Sequence, residues 1–223
     1  MLFNSDDEVF KHLKGIVSLN SGRVVIENID RLKKQGIDTL VENSVLNASS
    51  QIRGLSRFII KSSALEMGIV SSSIQGLYDA RGRDECGGFT VPAINIRGMS
   101  YDFSRSIFRT AQKLNTGSFI FEIAKSEIGY TFQQPHEIVG VILGAAIREN
   151  HTGPVFIQGD HFQVNAKNFH NNKDKEISGL KKLIQKGIEA GFYNIDIDTS
   201  TLVDLMLPGR VIQTKSLFPG PRE

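Results

Sequence analysis

The sequence predicts an α/β protein in which four βα units of a parallel (β/α)8 TIM-type barrel follow a helical N-terminal arm. From about residue 88, short β-type runs alternate with helical patterns, which is typical of βα units on a parallel sheet. The predicted strands begin near residues 89, 118, 154 and 193, a spacing that suits an eight-unit barrel of roughly 250 residues. A dinucleotide-binding Rossmann fold is disfavoured, because no GxGxxG motif follows the first of these strands.

Residues 1–85 are predicted to form a helical extension. Ser5 and Glu8 have the spacing of a capping box at a helix start, and apolar residues follow them at helical intervals. Similar patterns cover residues 24–32 and 55–67. Because His, Cys and carboxylate residues do not cluster in this part of the sequence, we expect it to pack on the following domain without taking part in chemistry.

The predicted strands of the four units are 89–96, 118–123, 154–159 and 193–199, and the predicted helices between them are 101–114, 135–147 and 174–190. Proline is common at the first helical position, so Pro135 predicts the start of the second helix. Asp174 is a suitable N-cap for the third helix, and Gly191 is placed to end it in the left-handed conformation. The partial barrel therefore spans 86–205, and residues 206–223 are predicted to be a tail outside it.

Charge and composition exclude several classes of function. Lys and Arg number 26 and Asp and Glu 24, so the net charge of +2 gives no support to nucleic-acid or membrane-surface binding. No apolar run approaches the ~20 residues of a membrane span. A single cysteine, Cys86, excludes an intrachain disulfide, and the N-terminus lacks a secretion signal, so we expect a cytoplasmic protein. Arg53, Arg57 and Lys61 stand at helical spacing and are interpreted as a solvated face.

Polar residues at the carboxyl ends of the predicted strands are the candidates for chemistry, because these ends meet at the open face of a parallel barrel. They are Asn95, the acidic residues between 122 and 127, Asp160, His161, Asp196 and Asp198. Side chains alternate along a strand, so Asp160 and His161 can serve one site only if the chain turns there. The imidazole then suits a metal ion and the carboxylate suits proton transfer. The alternative is a rim histidine beside a carboxylate that caps the next helix.

Asp196 and Asp198 lie two residues apart and therefore face one side of the fourth predicted strand. An outward-facing pair would be buried under helices without partners, so we expect both to face the open end, where water, a metal ion or a lysine offsets desolvation. Either one of the two has a functional role, or they belong to a buried structural network. Asp196 is the better candidate for a structural role because it lies deeper in the predicted strand.

Five segments taken together resemble the first half of the class II, metal-dependent fructose-bisphosphate aldolases. They are VPAINI, SFIFEIAKSE, GPVFIQGDHFQ, EAGF and NIDIDTSTL. The resemblance runs from about Phe89 to Leu205, and the segments keep the order and strand context of that family. It implies a (β/α)8 barrel, a bound zinc or other divalent ion, and a homodimer or larger assembly.

The activity that the resemblance implies is reversible aldol cleavage of fructose 1,6-bisphosphate into glycerone phosphate and glyceraldehyde 3-phosphate. His161 matches a zinc-binding histidine of the family, and Asp160 matches the acid that exchanges a proton with the C4 hydroxyl of the substrate. Asn95 matches a substrate-binding residue. Asp198 matches an aspartate that in some members helps to hold a second metal position.

The sequence departs from the family pattern in two ways. Ala124 stands where the family usually has a small hydroxyl residue, and two further zinc-binding histidines, another acid and the phosphate loops have no counterpart. We therefore expect a chain truncated or frame-shifted after Leu205, with reduced or no activity. The same motifs fit a tagatose-bisphosphate aldolase. The rival from another class is a non-catalytic half barrel that associates with a partner or with itself.

Overall fold

A computed structural model describes residues 1–203 of the chain; the predicted tail 206–223 and the boundary at Leu205 lie outside the described residues. The helices are α1 (Asp6–His12), α2 (Ile29–Arg31), α3 (Ile37–Leu46), α4 (Ser50–Glu66), α5 (Gln75–Gly82), α6 (Ser100–Lys113), α7 (Lys125–Thr131), α8 (Pro135–Arg148), α9 (Ala166–Asn171) and α10 (Lys173–Ala190). The strands are β1 (Val17–Asn20), β2 (Arg23–Ile26), β3 (Ile69–Ser72), β4 (Ala93–Asn95), β5 (Ile120–Ala124), β6 (Gly153–Asp160) and β7 (Asn194–Ile195).

The fold is α/β, with a five-stranded parallel sheet flanked by helices. The strand order is β3-β6-β5-β4, and β7 also pairs with β6. Both β3 and β7 lie on the edge of β6 away from β5, with β3 beside its first half and β7 beside its second half. The run β4, β5, β6, β7 therefore follows chain order across the sheet, and over residues 1–203 the sheet is open.

The two faces of the sheet differ in burial because side chains alternate along each strand. One face is covered and carries Phe121 and Ile123 of β5 and Val155 and Ile157 of β6, all buried. The opposite face carries Glu122 and Ala124 of β5 and Gln158 and Asp160 of β6, all half-buried. The second face consequently presents the polar side chains of the strand ends to an open space.

The central helix of the core is α8. Residues 138–147 of this helix are all buried, and the helix contacts α3, α4, α6, α10 and β3. A helix that is apolar on every side is expected in such a position. It begins at Pro135, which confirms the start predicted from the sequence.

The first 85 residues share this core. Leu13 of the segment after α1, Leu40 of α3 and Ile60 of α4 belong to the same hydrophobic cluster as Ile142 of α8, so residue 85 does not mark a break in the packing. The cap at Ser5 is confirmed, since its side chain accepts a hydrogen bond from the backbone N–H of Glu8.

A β-hairpin replaces part of the helical pattern predicted for residues 24–32. Strands β1 and β2 pair antiparallel around a two-residue turn, in which Ser21 has φ 50° and Gly22 has φ 77°. Positive φ at both central residues matches the right-handed twist of the strands. The helical prediction is therefore wrong before Ile29, because the apolar residues there alternate along a strand.

Smaller differences concern element ends. The first predicted strand is ordered as a strand only at Ala93–Asn95, and the N-cap of α10 is Asn172 in place of Asp174. Gly191 ends α10 at φ 122°, a positive value as predicted. Among residues 1–203, no helix combines the length and the apolar character that crossing a membrane requires.

Helices α3 and α8 approach closely at Gly144. A Cβ atom at this position would lie 2.4 Å from Cγ2 of the buried Val41. Gly144→Ala is therefore expected to lower the free energy of unfolding by about 1–2 kcal/mol, because overpacking costs about 1–3 kcal/mol and the helix preference for alanine returns only about 0.5–1 kcal/mol. Denaturant titration of the purified variant measures this change.

Gly179 provides the matched control, because it lies in α10 with nothing within 4 Å of its Cβ position. Gly179→Ala should raise the free energy of unfolding by about 0.5–1 kcal/mol. A gain of similar size at Gly144 would contradict the close contact between α3 and α8.

Candidate active site at the strand ends

Asp160 and His161 form a pair at the carboxyl end of β6. His161 has a φ of 43°, in the left-handed region, so the chain turns directly after the strand. The turn brings His161 Nδ1 to 2.8 Å from Asp160 Oδ2. Non-glycine residues seldom adopt this conformation, and it often marks a functional position. The structure thus brings the two neighbours together, as the sequence prediction requires for a shared site.

Phe162 anchors this turn in the core. Its side chain is fully buried and its ring lies over Gly159, where an added Cβ atom would come within 2.6 Å of the ring. The backbone N–H of Phe162 also donates to the carbonyl of Asp196 at 2.9 Å. The backbone that carries the exposed His161 side chain is therefore fixed by the buried Phe162 ring and by the hydrogen bond from Phe162 to Asp196.

Asp196 joins the pair from the segment after β7. Its Oδ2 accepts a hydrogen bond from the backbone N–H of His161 at 3.3 Å. One ligand atom from each of Asp160, His161 and Asp196 can be chosen so that all lie within 4.8 Å of one another. Asp196 is exposed and Asp198 is half-buried, so the expectation that Asp196 is the deeper of the two is wrong.

Asp198 has a different environment from the one expected of a metal ligand. Its Oδ2 accepts from the side-chain amide of Gln163 at 2.6 Å, and its Oδ1 accepts from the backbone N–H of Ser200 at 2.8 Å. The second contact is the turn that Asp forms with a residue two positions later. These hydrogen bonds, those from Ser200 first, hold the pKa of Asp198 below its ordinary value. The cluster of possible ligand atoms includes Asp196 and leaves out Asp198.

The charges around His161 favour its protonated form. The hydrogen bond with Asp160 and then the negative charge of that carboxylate raise the pKa of His161, and Asp196 and Asp198 add to the effect. A cation at this position would experience the same attraction. The site is therefore electrostatically suited to positive charge.

Asn95, at the end of β4, is held by a buried carboxylate. Its side-chain amide donates to Glu127 Oε2 at 3.0 Å, and Arg97 pairs with the other oxygen of Glu127. Glu127 also accepts the backbone N–H of Ala124 at 2.9 Å. Burial alone raises the pKa of Glu127, but the hydrogen bonds from Ala124, Arg97 and Asn95 outweigh it and leave the pKa below its ordinary value.

A row of polar side chains crosses the open face of the sheet one step below Asp160. Asn95 is in register with Glu122, and Glu122 is in register with Gln158. The side chain of Gln158 donates to Glu122 at 3.4 Å. Burial, followed by the charge of Asp160, raises the pKa of Glu122. Glu122 and Glu127, whose pKa values are shifted in opposite directions, therefore differ in their readiness to take up a proton.

A cleft of about 650 Å³ lies between the loops after β4, β5 and β6. It is lined by Asn95, Arg97, Ala124, Lys125, Ser126, Glu127, Asp160, His161, Gln163 and Asn165. Lys125 fixes one wall, because its ammonium donates to the carbonyl of Gln163 at 2.8 Å and pairs with Glu176 at 2.9 Å. The volume falls in the range of small-molecule sites.

Two residues of this site, Arg97 and Lys125, carried no role in the sequence prediction. Glu127 is one of the acidic candidates between 122 and 127, and it lies two residues after the start of α7 at Lys125. Arg97 contacts Glu127 and Lys125 contacts Gln163, which lie 30 and 38 positions away in the sequence. A local sequence pattern cannot predict such contacts. The site thus combines a local turn with distant partners.

The donor atoms at the turn are compatible with a divalent ion. One imidazole and two carboxylates are donors that zinc accepts in catalytic sites. The described residues supply this set at the edge of the cleft, from two neighbouring strand ends. Comparisons of the chain with protein-family models, curated proteins and solved structures give no match.

Proposed function

We propose that the chain is a metal-dependent aldolase that cleaves fructose 1,6-bisphosphate reversibly into glycerone phosphate and glyceraldehyde 3-phosphate. The observation that carries the proposal is the cluster of Asp160, His161 and Asp196 beside a cleft of about 650 Å³. The resemblance of residues 89–205 to class II aldolases points to Asp160 and His161 of this cluster, and to Asp198 in place of Asp196.

Of the three residues of the cluster, His161 and Asp196 are proposed to hold the ion, and Asp160 is left free for proton transfer. Their ligand atoms converge at the turn, and both side chains are exposed on the side where substrate can approach. Asp196 takes the role that the sequence prediction gave to Asp198. A bound divalent ion would supply Lewis acidity toward the ketone of the substrate.

Asp160 is proposed to carry the proton. It is half-buried at the cleft edge and is oriented by His161, so its carboxylate can accept the proton of the substrate hydroxyl as the carbon–carbon bond breaks. Asn95 is proposed to bind substrate from the neighbouring strand end, with Glu127 holding its amide in place.

The sheet supports a partial (β/α)8 barrel as the finer description of the fold. Strands β4 to β7 are parallel and adjacent in chain order, which supports this description, while β3 pairs with β6 and lies outside that order. From the same resemblance we propose that the protein is a homodimer or a larger assembly in the cytoplasm. Sedimentation velocity of the purified chain tests the oligomeric state.

The first test of the proposed function is zinc binding, measured by calorimetry. The parent chain should bind zinc, and His161→Ala should weaken binding by at least about tenfold, since even the outer partners of metal ligands are worth 10- to 100-fold. His170→Ala is the matched control, because His170 is an exposed histidine on α9. It should leave the affinity unchanged.

Turnover is then measured with fructose 1,6-bisphosphate and, in parallel, tagatose 1,6-bisphosphate. Chelator-sensitive cleavage of the fructose compound supports the proposal. Faster cleavage of tagatose 1,6-bisphosphate would identify the protein as a tagatose-bisphosphate aldolase instead. A chain that binds no zinc and cleaves neither compound contradicts the proposal and favours the non-catalytic alternative.

A further inference from the structure

A second groove runs along α4, on the covered side of the sheet and away from the strand ends. It has a volume of about 660 Å³. One wall is a single face of α4 formed by Gly54, Arg57, Phe58, Lys61, Ser62 and Leu65. At about 1.5 Å per residue, this wall is roughly 16 Å long. We call this space the α4 groove.

The other walls of the α4 groove come from three separate elements. Strand β3 contributes Val70 and Ser71, α8 contributes His136 and Leu143, and the segment after α10 contributes Tyr193. These elements belong to the same packed core, so the groove is formed by the fold and not by a single loop.

The middle of the α4 groove carries positive charge. Arg57 and Lys61 lie one helical turn apart, His136 faces them, and no Asp or Glu lines the groove within residues 1–203. The sequence interpretation of Arg57 and Lys61 as a solvated face is wrong, because the fold half-buries both side chains. Burial and then the charges of Lys61 and Arg57 lower the pKa of His136, which is the effect of a local positive potential.

This positive charge is only partly neutralised. Lys61 donates to the backbone carbonyls of Ala190 and Glu189, at 2.8 and 3.5 Å, and a carbonyl carries no net charge. Arg57 pairs with Glu137 at 3.3 Å, and its Nη2 donates to the carbonyl of Ser44 at 2.6 Å. Glu137 therefore offsets the charge of Arg57, whereas Lys61 forms no ion pair with a carboxylate among residues 1–203.

Apolar side chains flank the charged middle of the groove. Phe58, Leu65, Val70 and Tyr193 are large apolar residues that are between 41% and 65% exposed. All four line the same groove. Contiguous exposed apolar surface next to polar groups is typical of a binding site.

We propose that the α4 groove binds an amphipathic organic anion. The carboxylate or sulfonate of such a ligand lies against Arg57 and Lys61, and its alkyl chain or aromatic ring lies between Phe58, Leu65 and Tyr193. Charge-assisted hydrogen bonds hold the head group, and burial of apolar surface holds the tail. The ligand is a free small molecule, because the charged residues lie between the apolar walls and not on a flat outer surface.

The experiment uses decanoate as the probe and decyltrimethylammonium, with the same chain length and opposite charge, as its counterpart. Calorimetric titration of the full chain should show saturable binding of one decanoate, with the ammonium compound at least about tenfold weaker. Lys61→Met should weaken decanoate binding by about tenfold, the equivalent of one charge-assisted contact. Lys182→Met, at an exposed position of α10, should leave it unchanged.

Leu65→Ser keeps the experiment decisive if Lys61→Met does not fold, because Leu65 is 65% exposed and lines the groove. It should also weaken decanoate binding, since it removes part of the apolar wall proposed to hold the tail. Equal affinity for the two probes, no saturable binding, or parent-like affinity in Leu65→Ser overturns the proposal. Binding to vesicles that contain phosphatidylglycerol without binding of free decanoate overturns it in favour of a membrane surface.

Discussion

Under the proposed aldolase function, Asp160→Asn is expected to lower kcat for fructose 1,6-bisphosphate cleavage by about 10²- to 10⁴-fold, the usual contribution of a positioned acid–base group. The amide has the shape of the carboxylate and can still accept a hydrogen bond from His161, which lies 2.8 Å away. It cannot take up the substrate proton. Steady-state kinetics should therefore show a fall in kcat with little change in KM, while calorimetry shows zinc binding retained.

Asp198→Asn is the control for this prediction. The Asp198 carboxylate already accepts hydrogen bonds from Gln163 and Ser200, and an asparagine can keep at least one of them. This variant should turn over at close to the parent rate. Loss of turnover in Asp198→Asn together with normal turnover in Asp160→Asn would show that Asp198, and not Asp160, carries the proton.

Glu127→Gln is expected to lower the free energy of unfolding at pH 7 by about 1–3 kcal/mol. Glu127 is buried and accepts hydrogen bonds from Asn95, Arg97 and the backbone of Ala124, and hydrogen bonds to a charged group are worth about 1.5–3 kcal/mol each. The amide keeps one acceptor oxygen and places a donor against Arg97 or Asn95. Denaturant titration measures the loss.

The pH dependence provides an independent check on Glu127. Because the folded-state pKa of Glu127 lies below its ordinary value, its ionised form stabilises the fold above about pH 4.5, and this contribution is lost as pH falls through the folded-state pKa. The difference between parent and Glu127→Gln should therefore shrink in acid. Glu189→Gln, at an exposed position, should change stability by less than about 0.5 kcal/mol at every pH. A difference that is constant from pH 7 to pH 3 would contradict the ionised state.

The alternation of strands β4 to β7 with helices could be predicted from the sequence because each of these units carries local signals. Pro135 begins α8 and Gly191 ends α10 as their residue types indicate. The helical pattern of residues 24–32 does not predict the hairpin of β1 and β2, which depends on the turn at Ser21 and Gly22. Strand β3 is only four residues long and is recognisable only through its pairing with β6.

The pairing of Asp160 with His161 could be predicted from the sequence, while the choice between Asp196 and Asp198 could not. Strand β7 ends at Ile195, so both aspartates lie in a segment that is no longer regular, and depth along a strand does not apply to them. The contact between Asn95 and Glu127 joins residues 32 positions apart. Such distances depend on how the elements pack.

The ring of Phe162 over Gly159 has a consequence for how this region can vary. A methyl group at position 159 would displace a fully buried ring by way of a clash at 2.6 Å, and the ring is covalently next to His161. A substitution at Gly159 in the core would therefore also move the imidazole of His161. A homologous chain with a larger residue at position 159 should carry a smaller residue at position 162, because otherwise the orientation of His161 would change.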